Sequence, residues 1–87
     1  MTFLEQLQSH KGGLLRLKTQ LYWYDGRGYD ESPDRICLIL DAADGDAKVP
    51  WKAPSTAGAY PPGPAAHLLI DGTPHWIWVA ESDVELL

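Results

Sequence analysis

Three histidines, one cysteine and a run of aspartates are the residues of this sequence that could do chemistry. His10, His67 and His75 are the nitrogen ligands that a metal site would use, together with a carboxylate. His10 falls in the tail of a predicted helix, and His67 and His75 face each other only if the register of a predicted hairpin allows it. We therefore expect surface or cross-strand packing roles for these residues and no bound metal.

The run Asp41 to Asp46 is acidic enough to suggest calcium, but it lacks the alternating oxygen ligands and the late glutamate of an EF-hand loop. Asp44-Gly45 is typical of a turn. Cys37 lies between Ile36 and Leu38 and is expected to pack as a small apolar residue. No nucleophile with a base and no pair of carboxylates in a cleft is recognisable, so the sequence predicts neither an enzyme nor a cofactor.

Composition narrows the class of partner. The 87 residues suffice for one domain with one core. Seven basic against twelve acidic residues leave a net charge of −5, which opposes a phosphate backbone, so nucleic acid is not expected as a partner. No apolar run is long enough to span a membrane, and the first ten residues lack the features of a secretory signal. The lone cysteine excludes an internal disulfide framework and fits a reducing compartment.

The elements that position these residues begin with a helix over 1–10. Thr2 and Glu5 have the spacing of a capping box, and the helix ends near His10 before two glycines. The following segment alternates as a half-buried strand, with Leu15 and Leu17 inward and their neighbours outward. An aromatic segment, 21–24, precedes a long loop that contains Asp25-Gly26.

The clearest strand is 35–40, a nearly continuous apolar run that indicates burial on both faces or a central position. The stretch 48–65 contains five prolines and predicts an inserted loop of extended, partly polyproline character. Asp71-Gly72 predicts the turn of a hairpin between 67–70 and 75–79. A single helical turn at 80–83 and a short last strand at 84–87 complete the chain.

These elements together resemble an SH3-like small barrel. The resemblance rests on the opening strand Gly13 to Lys18, on the aromatics Tyr22-Trp23-Tyr24 in the first long loop, and on the segment Trp76 to Val84, which covers a strand, a tight turn and the closing strand. It implies an all-β fold, a five-stranded SH3-like barrel over 11–87, with the short helix 1–10 in front and the proline-rich loop 48–65 inserted.

Within that fold class, the pattern is similar to short SH3-like proteins encoded by tailed phages, many of them cyanophages, some of which are virion accessory parts. Arg16 with Tyr22-Trp23-Tyr24 also resembles a segment in small stromal-side subunits of cyanobacterial photosynthetic complexes. The insertion and the helix belong to neither pattern, and the basic surface with which such a subunit meets ferredoxin is largely missing here.

The aromatic residues exceed what so small a core can hide, and exposed Trp and Tyr anchor protein interfaces. Alternation puts Trp76 and Trp78 on one hairpin face, so we expect either an aromatic surface that holds a partner or a second small core in which the inserted loop covers the rings. Trp51, on its proline-bearing arm, is the sharpest single candidate. The predicted partner contacts are Phe3, Leu7, Tyr22, Trp23, Tyr24, Trp51, Tyr60, Trp76 and Trp78.

The sequence thus predicts a non-enzymatic interaction module that binds other proteins in a larger assembly. The resemblance implies a phage virion accessory component of the capsid, neck or tail, present in several symmetric copies. The alternative is a small accessory or inhibitory subunit of a host multi-subunit complex, of redox, photosynthetic or defence type. The expected location is the virion or the host cytoplasm. Recognition of proline-rich peptides is a third hypothesis, disfavoured because the domain carries prolines of its own.

Overall fold

The structure is a computed structural model that describes residues 1–19, 21–23, 34–49, 53–56 and 63–87, with the backbone alone for 22 and 23. Most of these residues lie in strands. The elements in chain order are α1 Phe3–Ser9, β1 Leu14–Leu17, β2 Tyr22–Trp23, β3 Arg35–Asp44, α2 Gly45–Lys48, β4 Pro54–Ser55, β5 Pro64–Ile70, β6 Thr73–Trp78, a 3₁₀ turn Glu81–Asp83, and β7 Val84–Leu86.

All seven strands belong to one sheet in the order β2-β4-β6-β5-β3-β1-β7. Neighbouring strands are antiparallel except for β4 and β6, which are parallel and meet at Ser55 and Trp78. The prediction of an all-β domain with a short N-terminal helix is confirmed at this level. The five-stranded closed barrel is not what the described residues form, because β2 and β7 are the two edges of the sheet and do not pair with each other.

Helix α1 forms where its capping box predicts it. The Glu5 backbone N–H donates to Thr2 Oγ1 at 3.1 Å, and the Thr2 N–H donates to Glu5 Oε1 at 2.8 Å. The hydrogen bond from the Thr2 backbone lowers the pKa of the Glu5 carboxyl. Leu7 is fully buried in the main core, so the helix is packed against the sheet.

The hairpin of β5 and β6 follows from its two turn residues. Asp71 and Gly72 have positive φ angles of 52° and 81°, and the strands pair from Ile70 and Thr73 outward. These angles match a type I′ turn, whose twist suits a two-residue hairpin loop and which Asp-Gly favours. The predicted hairpin is confirmed, as are the tight turn and the last strand after it.

The main core lies on one face of the sheet, here called the inner face. Leu15 and Leu17 are fully buried there, as their alternation predicts, and Cys37 packs beside them as a buried apolar residue. Other buried members of this cluster are Leu21, Ile39, Ala42, Ala66, Leu68, Ile70, Ile77, Val79 and Val84.

Part of the predicted insertion is built into the sheet. Within 48–65 lie the end of α2, all of β4 and the first residues of β5. Pro54 and Pro64 are each the first residue of their strand, a position where the missing N–H removes little of the ladder. The prediction of a loop running through to 65 is therefore wrong at these two places.

Candidate protein-docking face

Strand β3 shows how the opposite side of the sheet, here called the outer face, is composed. Cys37 and Ile39 point to the inner face, whereas Ile36 and Leu38 point to the outer face. Ile36 is 56% exposed and Leu40 36% exposed. The expectation that this apolar run is buried on both faces is wrong, although its central position, between β1 and β5, is confirmed.

Strand register extends the outer apolar surface across the sheet. Pro74 of β6 is opposite Leu69 of β5, which is opposite Leu38 of β3, which is opposite Leu14 of β1. Leu87 comes next, since its backbone N–H donates to the Leu14 carbonyl at 3.0 Å. These five residues are called the apolar row.

Water reaches much of this surface. Leu14 is 44% and Leu87 49% exposed, Pro74 is exposed, and Leu38 and Leu69 are half-buried. Ile36 lies beside the row on β3, and Leu40 on its other side, at the irregularity in the pairing of β3 with β5. The outer face therefore carries a contiguous apolar surface at the centre of the sheet.

Beyond the row, the outer face is covered by the chain itself. Trp78 is fully buried in a second cluster with Val49, Ala53 and Ala65, here called the outer cluster. Gly45 lies beneath the ring, since a Cβ placed on it would be 2.1 Å from Trp78 Cζ3. Residues of the predicted insertion thus cover this tryptophan. Of the two alternatives drawn from the sequence, Trp78 follows the second small core and is not the exposed partner contact that was also predicted.

Trp76 lies between the outer cluster and the apolar row. It packs against the cluster and is half-buried. The ring of His67, opposite it on β5, stacks on it with centroids 4.7 Å apart and planes 2° from parallel. His75 is opposite Leu68, so it lies on the other face from His67. The hairpin register therefore separates the two histidines.

Charged side chains near the row are paired within the chain. On the outer face, Arg16 donates to Glu85 Oε2 at 2.7 Å and to Asp34. Arg35 is opposite Leu17 and so lies on the inner-face side of β3, where it donates to Asp71 Oδ1 at 2.7 Å. The hydrogen bond and the charge of Arg16 lower the pKa of the Glu85 carboxyl.

On the other side of the row, Lys11 Nζ and Asp41 Oδ1 are 3.6 Å apart. The pKa of Asp41 is lowered, chiefly because the Ala42 backbone N–H donates to its carboxylate, with Lys11 adding a favourable charge.

The predicted partner contacts are distributed unevenly over this architecture. Leu7 is fully buried in the main core, and Phe3 is half-buried against it. The backbones of Tyr22 and Trp23 form β2. Tyr24, Trp51 and Tyr60 lie outside the described residues. The structure thus brings Trp76 and Trp78 together, and it places both helix residues against the core.

Metal binding and membrane insertion are two other functions that the described ranges can be compared with. These ranges contain no group of three histidine, cysteine or acidic side chains that could hold a metal ion. Over the same part of the chain, no helix combines the length and the apolar character needed to cross a bilayer.

Comparison with known proteins adds no relative, since no family model, no curated protein and no solved structure matches this chain.

The apolar row was missed by sequence reasoning, although one signal pointed to it. An antiparallel strand with a solvated face normally alternates, so the continuous run in 35–40 indicated that the second face is also apolar. Only the register shows that Leu14 and Leu69 continue that surface on neighbouring strands.

Proposed function

We propose that this protein is a non-catalytic protein-interaction module that docks through the apolar row on the outer face of its sheet. The observation that carries the proposal is the row itself, five apolar residues in register from Pro74 to Leu87, with Ile36 and Leu40 on its flanks. Single exposed leucines are ordinary on a protein surface, but a contiguous apolar patch marks a site of interaction.

The dimensions of the row suit a protein surface better than a small molecule. Strands lie about 4.8 Å apart, so a row over five strands extends roughly 19 Å. Covering it would contribute about 25 cal/mol for each Å² of apolar area removed from water. A row of this length on the surface of a sheet offers area for packing, whereas small ligands are held in concave sites.

The residues best able to do chemistry have structural roles, which supports the non-catalytic part of the proposal. Cys37 is buried in the main core, and His67 is stacked on Trp76. Asp44 Oδ1 accepts the Asp46 backbone N–H at 3.0 Å and so caps α2.

The more specific proposal is an SH3-like domain that serves as a virion accessory component of a tailed phage. Three segments of the sequence resemble such proteins and support this proposal. They are the segments 13–18, 22–24 and 76–84. A subunit that binds a host complex is the alternative, and it would use the same face.

The test of the proposed function is mass spectrometry of gradient-purified particles from the phage that encodes the chain, or of purified host complexes. Stoichiometric presence of the wild-type chain supports the proposal and identifies which assembly it joins. The chain should be lost from that assembly in the Ile36→Glu variant, because a buried carboxylate would face the partner.

Ala47→Glu is the matched control, since Ala47 is exposed on α2 and the substitution adds the same charge. If both variants join the assembly as the wild type does, the outer face is not the docking site. Absence of the wild-type chain from particles and from host complexes would contradict membership in an assembly.

A further inference from the structure

We infer that Arg16 holds the last strand, β7, on the sheet by charge, so that acid favours local opening of this strand while the rest of the sheet stays folded. Strand β7 leads directly to Leu87, the last member of the apolar row. Opening of β7 would therefore also shorten the docking face, a consequence that rests on the proposed function.

Strand β7 has few attachments to the rest of the fold. It is three residues long, lies at an edge of the sheet and, among the described residues, pairs only with β1. The Lys18 N–H donates to the Asp83 carbonyl at 2.9 Å at one end, and the Leu87 N–H donates to the Leu14 carbonyl at 3.0 Å at the other. Of the three side chains of β7, only that of Val84 is buried. Elements with so few buried contacts open at a lower free energy than the core of a domain.

The Arg16 side chain connects β7 to the start of β3. Glu85 is opposite Arg16 in the register, and its Oε2 accepts from Arg16 Nη2 at 2.7 Å. The same guanidinium donates through Nη1 to Asp34, which directly precedes β3. A guanidinium has five N–H donors in a planar fork, so it can bind both carboxylates at once.

Glu85 is the carboxylate that makes the attachment of β7 depend on pH. Its pKa is lowered, chiefly by the hydrogen bond and the charge of Arg16, while Lys18 adds a smaller favourable charge and Asp34 opposes the shift. The pair therefore contributes fully at neutral pH. Its contribution begins to fall near pH 4.3, about the ordinary pKa of glutamate, and is lost below the lowered pKa. The other charged groups beside β7 are Glu81 and Asp83, on the 3₁₀ turn.

His10 makes a second side-chain contact with this end of the chain, and it does not depend on charge in the same way. Its Nε2 lies 2.7 Å from the Leu87 carbonyl oxygen, so this nitrogen donates. Nε2 carries a hydrogen in one neutral tautomer and in the protonated ring alike, and the bond is compatible with both. Glu85 is thus the group through which acid acts on β7.

The first experiment asks whether β7 opens separately. Amide hydrogen exchange is followed by NMR on the isolated chain at increasing low concentrations of urea. The Lys18 and Leu87 amides report on β7, and the Ile39 amide, which donates to the Gly13 carbonyl, reports on the sheet. Protection of Lys18 and Leu87 should change little with urea, because a local opening exposes little surface, whereas protection of Ile39 should fall steeply.

The second experiment asks whether charge controls the opening. At neutral pH the Lys18 and Leu87 amides should be up to about fivefold better protected in the wild type than in Glu85→Gln, the range for an exposed ion pair. The two proteins should become equal below the lowered pKa of Glu85. Raising the salt concentration at neutral pH should also narrow the difference, since the pair is exposed.

Asp34→Asn is the matched control, because it removes a carboxylate from the same guanidinium without touching β7. Asp34 has a φ of 70°, and asparagine adopts this left-handed conformation readily, so the variant is compatible with the fold. Its Lys18 and Leu87 amides should keep at least the protection of the wild type at neutral pH, since Glu85 then has Arg16 to itself.

Equal protection and equal urea dependence of the Lys18, Leu87 and Ile39 amides would overturn this inference, because β7 would then open only with the whole sheet. A difference between the wild type and Glu85→Gln that does not change with pH would also overturn it, as would an equal loss in Asp34→Asn. All these measurements use the isolated chain. Failure of the proposed function is read separately, from absence of the chain from particles and host complexes.

Discussion

At the scale of the residue, Gly45 and Trp78 constrain each other closely. The ring occupies the space of a side chain at position 45, with Cζ3 at 2.1 Å from where a Cβ would lie. The ring is fully buried in the outer cluster, so it cannot shift to make room for a Cβ without disturbing that cluster. The Asp44-Gly45 dipeptide reads as turn chemistry, but glycine is required here by packing.

Gly45→Ala should therefore lower the free energy of unfolding by about 1 to 3 kcal/mol, the usual range for overpacking a filled site. Urea unfolding followed by tryptophan fluorescence measures the change. In a Trp78→Leu background the same substitution should be much less harmful, since the smaller side chain vacates the site. Equal losses in the two backgrounds would mean that the ring is not the obstacle.

The ion pair of Arg16 with Glu85 gives a prediction about pH. The pKa of Glu85 is lower in the folded chain than in the unfolded one, so the pair stabilises the fold above the unfolded pKa and this contribution is lost as the pH falls. Glu85→Gln should be less stable than the wild type at neutral pH. The difference should begin to shrink near pH 4.3, about the ordinary pKa of glutamate, and be lost once the pH is below the lowered pKa of the folded chain.

Denaturant titrations of both proteins from neutral to acid pH measure this difference. Glu81→Gln, an exposed glutamate on the 3₁₀ turn, is the control and should follow the wild type. A gap between Glu85→Gln and the wild type that stays constant with pH would contradict the role of the charge.

At the scale of the element, local sequence signals were sufficient to predict a helix start or a turn wherever one or two residues determine the backbone conformation. The capping box at Thr2 placed α1, and Asp71-Gly72 placed the hairpin turn. The short strands β2 and β4 could not be predicted in the same way. Their pairing, Tyr22 with Ser55 and Trp23 with Pro54, joins segments about thirty residues apart and depends on the rest of the sheet.

The same limit explains why the sequence predicted neither which side of Trp76 and Trp78 is covered nor the existence of the apolar row. Alternation correctly groups Trp76 with Trp78 but carries no information about which face a neighbouring segment covers. Val49 and Ala53, which cover Trp78, have no pattern of their own. The apolar row consists of residues from separate segments that become neighbours only through register.

Helix α1 is expected to stabilise the main core through Leu7, and this differs from the role of a partner contact. Leu7→Ala should lower the free energy of unfolding by about 2 to 5 kcal/mol, the range for truncating a buried leucine. Thermal unfolding by circular dichroism is the measurement. An unchanged stability would place Leu7 outside the core and return it to the partner contacts.

The capping box makes a smaller contribution to the same helix. Thr2→Ala should cost about 1 kcal/mol, because the Glu5 backbone N–H loses its acceptor. Thr2→Ser keeps the hydroxyl and should retain most of the stability. The same unfolding measurements distinguish the two variants, and equal losses would show that the methyl group matters rather than the cap.

At the scale of the whole molecule, one sheet carries a large cluster on its inner face and a small cluster on part of its outer face. Small domains expose a large share of their surface, and here the central apolar row is part of that share. Length and composition predicted one domain with one core. They could not predict that the outer cluster covers only part of the outer face and leaves the apolar row exposed to solvent.

The order of the strands predicts a gradient of local stability. Amide hydrogen exchange should be slowest in β5, which is paired on both sides from Ala65 to Leu69, and in the middle of β3, where the pairing passes from β1 to β5 at Leu38. It should be faster at the edge strand β7. Exchange measured by NMR at neutral pH tests this, with Ile39 and Leu68 as central probes and Glu85 as the edge probe. Equal protection of Glu85 would show that another chain covers that edge.

The antiparallel pairing of β1 with β7 also sets how the domain responds to mechanical force. Leu14, where β1 begins, is bonded to Leu87, where β7 has just ended, so a pull on the chain at these two points acts at one end of the pair. The bonds would break singly, in the manner of a zipper, rather than together in shear. Tension applied at these two points would therefore release the last strand at low force and leave β3, β5 and β6 paired.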